Sequence, residues 1–402
     1  MSIAVADVNG DGRSDIVQLN ACDSGGNCSN GVVGVLLGNG DGTFQTALVF
    51  NAGPNPKAVA IADANGDGKA DIVLIADSSA GTLLGNGDGA FQALQTSNLG
   101  MQPLSMVTAD VNNDGRADLV MIDSAVAWVS LANADGTFQT AQSYDDASDV
   151  VVQVVAGDVN GDGNPDIIVL NQCSDPGVCG FGEFSVLLGN GDGTFRAPII
   201  ESTGSRLPNA MAIMDVNEDG RPDLVVLQCV RGLQACLTGG GGRQGPAKLT
   251  MFAGDGSGAF HFLAHLGAGD RGGIAIAVGD VTGDGRPDVV VQAGSFGVFV
   301  HTGRYPTMNA LSSSANPSPA GQPVTFTATV SSNLPGLTGF VRFMNGKHCL
   351  GKIPLVDGVA TLTTDQLPVG TLPIIALYEP DLLWEKSEGT LMQVVSPPSG
   401  RH

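Results

Sequence analysis

The apolar positions of this chain come in short runs separated by polar, glycine-rich turns, and the runs recur in a fixed order. One stretch leads into an acidic loop as SIAVAD, VAIAD, SMVTAD, VVAGD, MAIMD and IAVGD. A second leaves that loop as SDIVQL, ADIVLI, ADLVMI, PDIIVL, PDLVVL and PDVVVQ. A third ends in a Gly-rich turn, LLGNGDGTFQ at 36–45, LLGNGDGAFQ at 83–92, SLANADGTFQ at 130–139, LLGNGDGTFR at 187–196 and MFAGDGSGAFH at 251–261. A fourth, weaker stretch follows the phenylalanine of each turn (Phe44, Phe91, Phe138, Phe195, Phe260). Asn-Gly and Asp-Gly between apolar runs are hairpin signals, because these residues accept positive φ. The pattern predicts an all-β chain of four-stranded antiparallel units, 47–65 residues apart, which is the spacing of β-propeller blades. Five full units and three strands of a sixth are expected before residue 305. A ring would close when one terminus lends a strand to the blade begun by the other, so the missing outer strand, or a whole further blade, is expected upstream of Met1.

The acidic loop is the same nine residues six times over, Asp-x-Asn-x-Asp-Gly-x-x-Asp. Its copies are DVNGDGRSD from Asp7, DANGDGKAD from Asp63, DVNNDGRAD from Asp110, DVNGDGNPD from Asp158, DVNEDGRPD from Asp215 and DVTGDGRPD from Asp280. Oxygens at positions 1, 3, 5 and 9 suit a hard cation with six to eight oxygen ligands, and the Gly at position 6 permits the sharp turn. The expected calcium ligands are Asp7, Asn9, Asp11 and Asp15; Asp63, Asn65, Asp67 and Asp71; Asp110, Asn112, Asp114 and Asp118. The remaining loops offer Asp158, Asn160, Asp162 and Asp166; Asp215, Asn217, Asp219 and Asp223; Asp280, Thr282, Asp284 and Asp288. Thr282 makes the sixth site the weakest expected, since a hydroxyl is a poorer ligand than an amide carbonyl. An EF-hand would need a Glu at position 12, where this chain has Gln18, Leu74, Met121, Val169, Val226 and Val291. Metal-free Asx turns are the bland alternative; they would leave three Asp per loop in mutual repulsion.

These loops change how the charge is read. The formal net charge is −22, and 18 of the 40 acidic residues are loop aspartates. Six calcium ions would return +12 and leave −10. The 18 Lys and Arg form no basic stripe, so nucleic acid is not an expected partner. No apolar run reaches transmembrane length. Six of the seven cysteines fall in close pairs, Cys22/Cys28, Cys173/Cys179 and Cys229/Cys236, at the feet of insertions that lengthen repeats one, four and five. Disulfide staples there would imply an oxidising compartment; zinc is the alternative, but no second Cys or His pair stands at finger spacing. Export is therefore expected, secreted or surface-attached. Met1 runs straight into a strand with no basic leader, which suggests that a signal peptide lies upstream.

The Asp loop and the Gly-Asn-Gly-Asp-Gly-Thr-Phe turn, recurring in register over residues 2–305, resemble FG-GAP/VCBS repeats, whose best-known members are the integrin α propellers. The resemblance implies that the loop joins blade strands one and two and binds structural calcium. It also implies that the position-7 backbone carbonyl completes each site, here at Arg13, Lys69, Arg116, Asn164, Arg221 and Arg286, with the position-7 side chains on the rim.

Beyond Pro306 the metal loop disappears and Ser/Pro/Thr alternation takes over. Segments such as QPVTFTATV, GFVRFMNGKHCLGKIPL and TLPIIALYEP resemble bacterial Ig-like domains, implying a seven-stranded sandwich. The expected organisation is a propeller at 1–305, an Ig-like domain at 306–396 and a disordered tail at 397–402. Tyr378 resembles the late-strand tyrosine of that fold, and the odd Cys349 is expected as a small buried residue.

Catalysis is not expected. Cys22-Asp23-Ser24-Gly25-Gly26 lies in an insertion with no His/Asp frame around it, and Gly239–Gly242 has no Lys-Ser/Thr behind it. His261, His265 and His301 read as solvated strand or turn residues rather than zinc ligands. Trp128, Trp384, Tyr144, Tyr305 and Tyr378 do not recur per blade, which disfavours symmetric sugar sites; the recurring Phe reads as blade-to-blade core. The expected function is an extracellular, monomeric binding or adhesion module for a protein or glycan. The rival classes are a carbohydrate-binding or polysaccharide-acting accessory protein and a structural spacer.

Overall fold

The computed structural model describes residues 2–22, 30–145, 150–172, 181–205, 207–217, 219–229, 247–267, 273–283, 287–293, 298–301, 307–332, 337–380 and 384–397. Five antiparallel four-stranded sheets come first, each built from consecutive strands. They are β1 (Ser2–Ala6), β2 (Asp15–Asn20), β3 (Gly31–Leu36) and β4 (Leu48–Gly53); then β5 (Pro56–Ala62), β6 (Asp71–Ala76), β7 (Ser79–Leu83) and β8 (Gln95–Asn98). The third has β9 (Ser105–Ala109), β10 (Asp118–Ile122), β11 (Ala127–Ser130) and β12 (Gln142–Tyr144). The fourth has β13 (Val151–Gly157), β14 (Asp166–Asn171), β15 (Glu183–Leu187) and β16 (Ile199–Ser202). The fifth has β17 (Pro208–Met214), β18 (Asp223–Cys229), β19 (Ala247–Gly254) and β20 (Phe260–Gly267). A three-stranded sheet follows, β21 (Gly273–Gly279), β22 (Asp288–Ala293) and β23 (Val298–His301).

The apolar cores of the first five sheets lie between successive sheets, not within them. Val17, Leu19, Val33 and Val35 of the first blade pack with Ile72, Leu74, Leu83 and Phe91 of the second. The same sharing joins blades two and three, three and four, and four and five. Second strands therefore carry apolar residues on both faces: β6 and β14 are buried at every position. β2 alternates buried and half-buried, because only one of its faces is covered by a neighbouring blade.

The turn phenylalanines follow this geometry. Phe91, Phe138 and Phe260 are buried and Phe195 is half-buried, each in a cluster with the preceding blade. Phe44 departs from the expectation of a core residue. It is 40% exposed, as are Ile3 and Val5 on β1 more fully, since no described blade precedes its own.

The outermost strand of each blade stitches to the next phenylalanine with a different side chain each time. Phe50 meets Phe91 edge-on at 5.4 Å, and Tyr144 meets Phe195 at 5.1 Å while its hydroxyl donates to the Gly193 carbonyl. Ser97 accepts from the Phe138 amide at 2.8 Å, and Glu201 accepts from the Phe260 amide at 2.9 Å. Burial raises the Glu201 pKa, only partly offset by that amide. A carboxyl raised in the folded state holds extra protons there, so its contribution to stability is lost as pH rises through the folded value. Glu201→Gln keeps the acceptor and removes the charge. At pH 7 it is expected to melt about 1–2 °C higher than wild type, with the gain vanishing near pH 4; a lower melt at pH 7 in calorimetry would contradict this reading.

The C-terminal unit is a two-sheet sandwich. One sheet contains β24 (Thr307–Ser313), β26 (Val324–Ser332) and β29 (Val359–Thr364); the other orders β25 (Ser318–Pro319), β31 (Ser387–Ser396), β30 (Gly370–Pro380), β27 (Gly339–Asn345) and β28 (His348–Pro354). Among the described residues eight strands form where seven were expected, the extra one being the two-residue β25. Phe326, Phe343, Ile374 and Tyr378 fill the core, and the Tyr378 hydroxyl donates to the Thr338 carbonyl at 2.6 Å. Cys349 is exposed, contrary to the buried position expected. It lies on edge strand β28, where a register shift at Phe343/Met344 breaks simple in–out alternation. The tail beyond Pro397 lies outside the described residues.

Candidate metal centres

Each nine-residue loop joins the first and second strands of its blade, and one carboxylate organises it. Asp7 accepts from the amides of Gly10 at 2.8 Å, Asp11 at 3.2 Å and Gly12 at 2.7 Å. Asp63 accepts from Gly66, Asp67 and Gly68, and Asp158 from Gly161, Asp162 and Gly163. Asp110 accepts from Asp114 and Gly115, Asp215 from Gly220, and Asp280 from Gly283. The chain can wrap round this carboxylate because position 6 takes positive φ, +81° at Gly12 and +83° at Gly115. Those amides hold the Asp7 carboxyl below its ordinary pKa, the Gly12 amide most strongly.

Positions 3 and 5 continue the chain of acceptors. Asn9, Asn65, Asn112, Asn160 and Asn217 accept from the amides of Asp11, Asp67, Asp114, Asp162 and Asp219. Asp11, Asp67, Asp114 and Asp162 accept from the amides of Arg13, Lys69, Arg116 and Asn164. The position-7 side chains lie on the rim: Arg13 and Lys69 reach to 4.0 Å from Asp11 and Asp67, and Arg116 pairs with Asp114. Asp284 and Arg286 of the sixth loop lie outside the described residues.

Position 9 behaves differently from the other acids. Asp15, Asp71, Asp118, Asp166, Asp223 and Asp288 are all fully buried. In blades one to four both oxygens are engaged, one by the position-2 amide and one by an amide of the Gly-rich turn. Asp15 takes Val8 at 2.9 Å and Gly38 at 2.7 Å, Asp71 takes Ala64 and Gly85, Asp118 takes Val111 and Ala132, and Asp166 takes Val159 and Gly189. In blade five Asp223 takes Gly254. Position 9 clamps the acidic loop to the hairpin of its own blade, a role additional to the calcium ligand expected there. The signal was the matched register of the two motifs. Backbone approaches closely there: a Cβ on Gly38 would meet the Ser14 carbonyl oxygen at 2.2 Å.

The donor set is all hard oxygen; in loops one, two and four Oδ1 of the position-1 aspartate already takes two or three amides, while its Oδ2 takes one and keeps a further lone pair. By chemistry and charge these loops fit calcium. Among the described residues no three His, Cys, Asp or Glu side chains form a cation cage as they stand, and backbone amides close the loops of blades one to four.

FG-GAP-like repeats match at residues 7–74, 64–121, 110–169, 177–226 and 237–291, and a bacterial Ig-like domain of group 3 matches at 311–396. The chain belongs to the FG-GAP-like repeat family. Its repeats form propeller-like blades and carry an Ig-like domain after them. Among solved structures, this FG-GAP-like chain is similar to an Agrocybe aegerita lectin that recognises non-reducing terminal N-acetylglucosamine, at 18% identity over 90% of this chain and 84% of that one, TM-score 0.49. It is also similar to the V. cholerae biofilm matrix protein Bap1, at 15% identity over 98% and 66%, TM-score 0.37. A search of the curated proteins found no match.

Cys22 is disulfide-bonded. Cys28, Cys173, Cys179 and Cys236 lie outside the described residues, as does the side chain of Cys229. No helix among the described residues is long and apolar enough to cross a membrane. His261 and His265 are exposed on β20, as expected, and the His265 ring nitrogens lie 3.2 Å from Lys248 Nζ and 3.1 Å from Thr250 Oγ1.

Proposed function

We propose that this FG-GAP-like chain is an extracellular binding or adhesion module rather than an enzyme, with a propeller at 1–305 stiffened by calcium and an Ig-like domain at 306–396. The observation behind the binding reading is where length varies. Strands two and three meet in tight turns in blades two and three, between Ala76 and Ser79 and between Ile122 and Ala127. In blades one, four and five the same connection runs from Asn20 to Gly31, from Asn171 to Glu183 and from Cys229 to Ala247. Strand alternation places these connections at the end of each blade opposite the acidic loops and Gly-rich turns. Variable loops on a repeated scaffold are where recognition concentrates. Paired cysteines flanking the long connections favour an exported protein.

Calcium is supported by three carboxylates in each loop with at most one neighbouring cation. A metal-free reading draws on the amide cradle around Asp7 and its counterparts, which closes the loops without an ion.

The test is a glycan array and a panel of extracellular matrix proteins, probed in CaCl2 with the wild-type chain and a variant lacking 172–182. Binding that drops about tenfold or more in the deletion, at an unchanged melting temperature, supports the assignment. Binding untouched by the deletion moves recognition elsewhere and favours a carbohydrate-directed accessory role. A folded chain that binds nothing on either panel favours the structural spacer.

A further inference from the structure

The chain contains eight Asn-Gly pairs, beginning at Asn9, Asn30, Asn39, Asn65, Asn86, Asn160, Asn190 and Asn345. This dipeptide is open to one covalent reaction. The glycine amide nitrogen, once it has lost its proton, attacks the asparagine side-chain carbon and expels ammonia. The five-membered imide so formed takes up one water and opens as aspartate or isoaspartate. Glycine carries no side chain to obstruct the attack. In a fold the rate therefore depends on whether that N–H and that carboxamide are already held, and the structure holds the eight pairs unequally.

In the acidic loops both partners are engaged. The glycine amide donates to the position-1 carboxylate, Gly10 to Asp7 at 2.8 Å, Gly66 to Asp63 at 2.8 Å and Gly161 to Asp158 at 2.7 Å. A bond to an anion opposes loss of that proton. The side-chain oxygens of Asn9, Asn65 and Asn160 are also occupied, by the amides of Asp11, Asp67 and Asp162. Elsewhere the Gly346 amide donates to the Pro373 carbonyl at 3.2 Å, and Gly31 is fixed in β3 opposite Gly53.

Three pairs remain, all in Gly-rich turns: Asn39-Gly40, Asn86-Gly87 and Asn190-Gly191. Among the described residues none of these three glycine amides donates a hydrogen bond. In blades one and four the asparagine is still tied. Asn39 Nδ2 donates to Thr43 Oγ1 and Asn190 Nδ2 to Thr194 Oγ1, each at 2.9 Å, and Asn190 also accepts from Arg196. In blade two Ala90 stands in place of that threonine. The Asn86 side chain is exposed and makes no hydrogen bond among the described residues, so it can turn toward Gly87 while water reaches it.

We propose that Asn86 is a self-modification site of the folded chain, converted to aspartate or isoaspartate by attack of the Gly87 nitrogen, ahead of the other seven pairs. One water enters and one ammonia leaves. The product adds a negative charge to the turn, and isoaspartate lengthens its backbone by one carbon. The neighbouring Gly85 amide is the one that Asp71 clamps at 2.8 Å, so the change bears on the anchor of the second acidic loop.

The test follows the full chain in CaCl2 at mildly alkaline pH in heavy-oxygen water, with peptide mapping by mass spectrometry over time. Uptake of the heavy oxygen separates conversion in the folded chain from conversion during digestion. Position 86 is expected to convert about fivefold faster than positions 39 and 190, the worth of one neutral hydrogen bond. It is expected to convert at least about tenfold faster than positions 9, 65 and 160, where the bond is to a carboxylate. In urea these differences should collapse. Ala90→Thr should slow position 86 about fivefold, and Thr43→Ala should speed position 39 as much. The melting temperature reports whether each variant is folded, and either one alone tests the threonine tie. Position 86 converting no faster than positions 39 and 190 in the folded chain overturns the proposal. So do rates at positions 86 and 39 that ignore both substitutions in folded variants.

Discussion

Stripping calcium with EDTA is expected to lower the melting temperature of this chain by about 10–15 °C. The size follows from linkage. A site with a dissociation constant near 0.1 mM, in about 1 mM free calcium, stabilises the folded state by about 1.4 kcal/mol, and six independent sites sum to about 8 kcal/mol. That is the scale of a whole domain's net stability. Divided by the unfolding entropy of some 300 residues, it gives the stated shift. Independence is a fair assumption within a loop's own blade, since each loop closes on itself through Asp7, Asp63, Asp110 or Asp158 and is clamped to its own hairpin. Loops two and three are tied directly, the Ala117 amide donating to the Asp63 carbonyl at 2.8 Å, so those sites should couple. Scanning calorimetry across a calcium titration checks both points. An EDTA melt equal to the calcium melt would mean that the amide cradles alone hold the loops.

Much of this architecture could be read from spacing because each blade is a local object. Its strands follow one another in sequence, its turns carry Asn-Gly or Asp-Gly, and its acidic loop returns at a near-constant interval, so no long-range pairing had to be guessed. What escaped was whatever depends on neighbours. Phe44 has the local sequence of Phe91 but for Thr43 in place of Ala90, yet stands exposed, because burial of that ring is supplied by the preceding blade. Cys349 looked like a small core residue, yet a register shift on an edge strand leaves it exposed. The clamp that the position-9 aspartate adds to its expected ligand role depends on an amide 14 to 31 residues away.

Asp118→Ala is expected to cost about 3–5 kcal/mol, with or without calcium. Asp118 is fully buried, and it satisfies the Val111 amide at 3.1 Å and the Ala132 amide at 2.8 Å. Alanine removes both acceptors at once, and each buried amide left unpaired costs about 1–3 kcal/mol. Asn keeps one acceptor but sets an amide NH2 against a backbone N–H, so Asp118→Asn should fall between, at about 2–3 kcal/mol. Asp114→Asn is the control. Asp114 is a loop carboxylate near the surface, and its loss should weaken calcium binding while changing the EDTA melt by less than about 1 kcal/mol. The two variants separate the clamp from the cage: a clamp residue destabilises in EDTA as well as in calcium, a ligand only in calcium. The charge of Asp118 adds a pH signature to the metal-free chain. Burial first, with Asp114 and Asp110 adding repulsion, raises its pKa to about 6. A carboxyl raised in the folded state contributes most below its unfolded value, and that contribution is lost as pH rises through about 6. In EDTA the wild-type melt should therefore decline between about pH 5 and pH 7 more steeply than that of Asp118→Asn, which has no proton to lose. Calcium should flatten the wild-type decline, because a cation in the loop favours the charged carboxylate. Equal pH profiles in EDTA would remove Asp118 as the group responsible, and an EDTA melt unchanged in Asp118→Ala would remove the clamp.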